Sequence, residues 1–159
     1  MATNVTQFRV ANRVSNGEIV KVIEQADFFI YTLAVTNLAP GGTNNATVNI
    51  QADADFIVTK MTGMADVAGA GQTFNTLVIP LVRVQLTDTG SGRNLFDVAT
   101  DMSAIAGSAY LPYILPVERR FSANSTIQAT FTSYDAAQTY ANVRLYLHGY
   151  KAWPMGVKK

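Results

Sequence analysis

Between residues 47 and 59 apolar and polar residues alternate with a period of two. Val48, Ile50, Ala52, Ala54, Phe56 and Val58 share one parity; Thr47, Asn49, Gln51, Asp53 and Asp55 share the other. A helix gathers residues three and four apart on one side, whereas a strand sends successive side chains to opposite faces. The stretch therefore predicts a strand with one buried face. It is longer than a typical strand, and a bulge or corner is expected near residues 52–55.

The same period returns along the chain. Phe29, Tyr31, Leu33 and Val35 form one series, and Val78, Pro80, Val82, Val84 and Leu86 form another. Ile127, Ala129 and Phe131 alternate with Gln128, Thr130 and Thr132, and Val143, Leu145 and Leu147 alternate with Arg144, Tyr146 and His148. Weaker candidates cover residues 8–14, 18–24 and 113–121. Turn chemistry separates them: Ser15-Asn-Gly, Pro40-Gly-Gly, Gly69-Ala-Gly, Thr89-Gly-Ser-Gly and Ser122-Ala-Asn-Ser. About eight short strands with such turns predict an all-β, single-domain β-sandwich of jelly-roll form. Helical spacing occurs only in residues 97–106, at Val98, Met102 and Ile105. The expected organisation is an N-terminal arm over 1–16, the sandwich over 17–151 and a tail over 152–159. The long connections 63–76 and 88–110 are where contacts with a partner are expected.

Composition narrows the function. Charged residues make up 14% of the 159, against about 25% in ordinary globular domains. A surface so poor in charge is easily desolvated at a protein contact. Twelve basic and eleven acidic residues leave a net charge of +1, which is not the footprint of a nucleic-acid binder. The neighbours Arg119-Arg120 and Lys158-Lys159 read as a solvated edge and a solvated tail. With no cysteine, disulfides and thiolate chemistry are excluded. No signal-peptide pattern and no apolar run of membrane-spanning length is seen, so a soluble protein made in the cytoplasm, with no membrane partner, is expected.

No catalytic constellation is complete. His148 is the only histidine and has no nucleophile motif to serve, so it reads as a surface or interface residue. Asp53 and Asp55, on one strand face about 7 Å apart, have the spacing of paired glycosidase carboxylates. With Asp66 they are a weak calcium candidate, lacking the glycine and distal glutamate of a calcium loop. The expectation is a non-enzymatic chain with no cofactor and no metal. The aromatic group Tyr110, Tyr113, Tyr140, Tyr146, Tyr150 and Trp153 is not absorbed by core parity. With His148, all of these but Tyr140 are the candidate protein interface.

Two stretches carry a resemblance: Asn37-Leu-Ala-Pro-Gly-Gly leading to Asn49-Ile-Gln-Ala-Asp-Ala-Asp-Phe-Ile-Val-Thr-Lys60, and Glu118-Arg-Arg-Phe-Ser-Ala-Asn-Ser-Thr-Ile127 leading to Val143-Arg-Leu-Tyr-Leu-His-Gly-Tyr-Lys151. Together they cover about half the chain and resemble small structural proteins of tailed-bacteriophage virions. The resemblance implies a capsid cement or decoration protein on the outside of the shell. Its partners would be the major capsid protein and itself, as a homodimer in preference to a trimer. The alternatives are a tail, fibre or head-to-tail connector component, a carbohydrate-binding module, and a glycosidase-like or lyase-like enzyme.

Overall fold

The structure, a computed structural model, describes residues 7–15, 17–71 and 74–154. The described residues fold as an all-β sandwich of two antiparallel sheets. Sheet A has the order β1 (Gln7–Ser15), β2 (Glu18–Leu38), β11 (Tyr140–Pro154), β4 (Asp55–Asp66), β5 (Leu77–Val78), and β9 (Tyr113–Phe121) pairs with the other end of β4. Sheet B has the order β3 (Thr43–Asn49), β10 (Thr126–Ser133), β6 (Val82–Asp88), β7 (Arg93–Asn94), with β8 (Thr100–Asp101) also on β6. The chain passes between the sheets at β2–β3, β3–β4, β5–β6, β8–β9, β9–β10 and β10–β11.

The core lies between the two inner faces and is built from the predicted parities. Sheet A contributes Tyr31, Leu33, Val35, Phe56, Val58, Val143, Leu145 and Leu147; sheet B contributes Val82, Val84, Leu86, Ile127, Ala129 and Phe131. Tyr31 meets Phe56 edge-on at 4.7 Å and Phe29 at 4.8 Å, so three rings close one end of the core. Such a pair contributes about 0.5–1.5 kcal/mol beyond its buried area. Tyr140 joins the sheets: its hydroxyl accepts from Leu81 N at 2.9 Å and donates to Asp135 at 3.0 Å. Burial and the Asp135 carboxylate push the Tyr140 phenol up, while the backbone amides of Ala137 and Gln138 hold Asp135 below the usual carboxylate range. Tyr140 is thus a core strut, not part of an exposed aromatic group.

Several expectations change. The corner foreseen near 52–55 is a change of sheet: β3 ends at Asn49 in sheet B and β4 starts at Asp55 in sheet A. Ile50, Ala54 and Phe56 keep the expected parity on either side of the turn, while Ala52 within it is exposed. The series through Val78 and Leu86 is likewise two strands, β5 and β6, interrupted at Pro80. Conversely, residues 18–24 and 29–35 belong to one strand of 21 residues, β2. The expected helix is one turn, α1 (Met102–Ile105), which buries Met102 and Ile105 but not Val98. It fits because Gly63 has no side chain where Met102 Cε packs.

The expected segment boundaries fall inside elements. The one at 16/17 cuts the β1–β2 hairpin at its tip, and the one at 151/152 cuts β11, which runs on to Pro154. Residues 1–6 of the expected arm and 155–159 of the expected tail, with Lys158-Lys159, lie outside the described residues. Pairing of β2 with β11 begins at Glu24, whereas pairing with β1 covers Glu18 to Ala26. Among the described residues, 10–15 and 18–23 therefore form a two-stranded ribbon beyond the β2–β11 pairing.

Candidate interaction face

The outer face of sheet A is built by the residues alternating with the core. Along β11 these are Arg144, Tyr146, His148 and Tyr150, since Val143, Leu145 and Leu147 point inward. The register sets Tyr146 between Thr32 and Thr62, His148 between Ile30 and Lys60, and Tyr150 between Phe28 and Ile57. Ile114 of β9 lies opposite Lys60 and prolongs the middle row. Phe28 is 70% exposed and Ile114 70%, large values for apolar side chains within a sheet.

A β-bulge shapes this face. Pairing of β11 with β4 slips by one residue between His148 and Gly149, leaving Thr59 as the extra residue. At Gly149 the backbones approach so closely that a side chain would run into the Ile57 carbonyl. The extra residue switches the parity of β4, so that Val58 faces the core while Lys60 faces outward beside His148, and it bends the sheet there.

The bend brings the margins of sheet A into contact. Arg9 of β1 donates to Glu118 of β9 at 3.1 Å, and its guanidinium lies 4.9 Å from the centre of the Tyr150 ring. Tyr150 donates to the same carboxylate at 2.8 Å. Below this belt Arg120 donates to both oxygens of Glu24 at 3.1 Å and to Asp55 at 2.7 Å. Glu24 is fully buried. Burial works against the Arg120 charge, but the two carboxylates outweigh it and raise its pKa. Arg120 is exposed on the edge strand β9, as expected, but its guanidinium is committed to a buried carboxylate, which was not expected. Arg119 lies over Phe121, 5.9 Å from the ring centre.

The curled surface encloses a cleft of about 590 Å³ with Phe8, Arg9, Phe28, Lys60, Gly149 and Tyr150 in its walls. His148 borders it, its Nε2 2.7 Å from the Thr62 hydroxyl. Burial, and next the Lys60 ammonium, lower its pKa, so the ring is held neutral. The Thr62 hydroxyl that it meets is itself buried. The arrangement suits apolar contact framed by polar groups, which is the anatomy of a protein interface.

The expected interface residues divide. Tyr146, His148 and Tyr150 share the outer face, whereas Tyr113, 37% exposed, lies opposite the core residue Met61 and so has the parity of the inner face. Tyr110, 92% exposed, stands with Leu111 just before β9. Trp153 has the opposite parity to Tyr150 and lies near the Lys151 ammonium on the other side of the sheet. Sequence reasoning missed Phe8, Arg9, Phe28, Ile30, Lys60 and Ile114. A signal for two of them was present: Phe28-Phe29-Ile30-Tyr31 is an unbroken apolar run, so β2 is apolar on both faces there.

The three acids of the calcium candidate do not meet. Asp53 lies in the turn before β4 and pairs with Lys151 at 3.1 Å. Asp55 accepts from Arg120 and from Ala123 N at 3.0 Å. Asp66, at the far end of β4, accepts from Ala68 N at 2.7 Å and from the Thr76 hydroxyl at 2.8 Å, closing a turn. Each carboxylate is held by its own partner, and Asp53, in the turn, does not share a strand with Asp55, contrary to expectation. Among the described residues no helix is long and apolar enough to cross a membrane. Compared with known proteins, the chain matches no family model and no curated sequence.

Proposed function

We propose that this chain is a non-enzymatic structural protein of a phage virion that binds the outside of the capsid and bridges neighbouring capsid subunits through the outer face of sheet A. The observation that carries the reading is that face itself. Phe8, Phe28 and Tyr150 line a concave cleft, Ile30 and Ile114 lie exposed on the same face, and among the described residues no element covers it. An apolar surface of this kind marks a contact site. The jelly-roll expectation belongs to the same reading, supported by the repeated passage of the chain between the sheets. A cement protein works by binding the assembled shell better than its free subunits, and repetition on a lattice multiplies weak contacts.

Copy number in purified particles tests the proposal. A shell-wide coat gives hundreds of copies, whereas the alternative, a tail, fibre or connector component, gives about six to twelve by ring symmetry. Absence from particles overturns both. A variant carrying Phe28→Ser and Tyr150→Ser should keep its fold and lose capsid binding; unchanged binding would remove the outer face from the proposal. The aromatic cleft also suits a sugar ring, so a glycan array with the same variant addresses the carbohydrate-binding alternative.

A further inference from the structure

We infer that β1 is a dimerisation edge, at which two copies of this chain pair their β1 strands antiparallel about a two-fold axis at Asn12. The first ground is the ribbon. Among the described residues it has only two strands beyond Glu24, and an isolated pair is marginal in water, where three or more strands are needed. Its apolar residues have no cover: Val10 is 66%, Ile19 74% and Ile23 53% exposed, and Val10 stands directly opposite Ile23. Edge-to-edge pairing turns two ribbons of two strands into one sheet of four.

The second ground is the state of the sheet edges. Long edges are ordinarily blunted by proline, bulges, charge or brevity. Among the described residues β9 carries Pro116 and a slip in its pairing with β4, and β5, β7 and β8 have two residues each. The edge strand β3 exposes only Thr43, Asn45, Thr47 and Asn49, three of which are hydrogen-bonded to β10. In contrast, β1 runs nine residues without proline or bulge, and of its two arginines, Arg9 and Arg13, the Arg9 guanidinium is drawn onto Tyr150 and Glu118.

The third ground is self-complementarity, which a two-fold contact requires. Like faces must lie opposite, so the axis passes through a residue. An axis at Ala11 sets Arg9 against Arg13 twice. An axis at Val10 overlaps the base of β1, where the strand already joins the body. An axis at Asn12 sets Val10 opposite Val14, Ala11 opposite Arg13 and Arg9 opposite Ser15, with no like charges facing. It also overlaps the free ribbon with its own copy.

This inference does not rest on the capsid reading, and its test uses the purified full chain alone. Sedimentation equilibrium should give twice the 17.2 kDa chain mass at micromolar concentration. Asn12→Lys and Asn12→Asp should each shift the protein to monomer, and an equimolar mixture of the two should restore the dimer. The chain has no cysteine, so Asn12→Cys is a clean probe that should cross-link on mild oxidation. A monomeric or trimeric parent chain overturns the inference. So does a dimer that survives both charge substitutions, or one that leaves Asn12→Cys uncrosslinked.

Discussion

Replacing Arg120 by Met tests the tie between the ribbon base and the β9 edge. The side chain serves two carboxylates, Glu24, which is fully buried, and Asp55. Removing one partner of a buried ion pair costs about 3–5 kcal/mol, because the remaining charge stays dehydrated. Arg120 is itself 35% exposed, and water at the guanidinium screens the pair, which reduces the figure to about 2–3 kcal/mol. Glu24 and Asp55 each hold a further interaction, which keeps the loss at the lower end. For a chain of this size that is a fall in Tm of about 5–10 °C. Urea unfolding at neutral pH, followed by tryptophan fluorescence and far-UV circular dichroism, measures it. Adding Glu24→Gln and Asp55→Asn to Arg120→Met should recover much of the loss, since the stranded charges are then gone. An Arg120→Met protein within about 0.5 kcal/mol of the parent would refute the reasoning, because that is the range of an inert surface change. A triple variant no more stable than the single one would refute it equally.

Three further outcomes follow from the geometry. Gly149→Ala should cost about 2 kcal/mol or more in urea unfolding, because the added methyl meets the Ile57 carbonyl at the bulge; a neutral substitution would mean that the bulge relaxes freely. Tyr140→Phe should cost about 1–3 kcal/mol through loss of the contacts to Leu81 and Asp135, measured in the same way. His148 has a depressed pKa, so its contribution to stability is fully present above the unfolded value of about 6.5 and is lost as pH falls through the folded value. Urea midpoints should therefore drop on acidification below about pH 6.5, and His148→Gln should flatten that part of the profile.

Core placement was legible because burial in a sandwich imposes parity, and parity is local. Phe56, Val84, Phe131 and Leu145 were assigned to the core from their immediate neighbours, and all four are buried there. Sheet membership was not legible, since alternation runs unbroken through residues 50–54 while the chain leaves one sheet for the other. The charge network was hidden for a different reason. Asp55 is joined to Arg120 across 65 positions and Glu24 across 96, and no local pattern announces such pairs. Part of the outer face could have been read. Tyr146, His148 and Tyr150 follow from off-core parity, and Phe28 and Ile30 from the apolar run on β2. The contact of Arg9 with Glu118 joins residues 109 positions apart, and the slip at Thr59 is likewise a property of pairing between strands distant in sequence.

The length of β2 has a mechanical consequence. The ribbon is no hinged attachment, because its second strand continues without interruption into the centre of sheet A. A pull on the ribbon along the strand axis loads the β2–β11 ladder in shear, and the pairs from Glu24↔Pro154 to Leu38↔Tyr140 share the force. A pull across the axis instead peels those pairs apart one at a time, starting at Glu24. Whatever the ribbon is joined to would therefore be restrained firmly along β2 and weakly at right angles to it, so the direction of the strand sets the direction of the restraint.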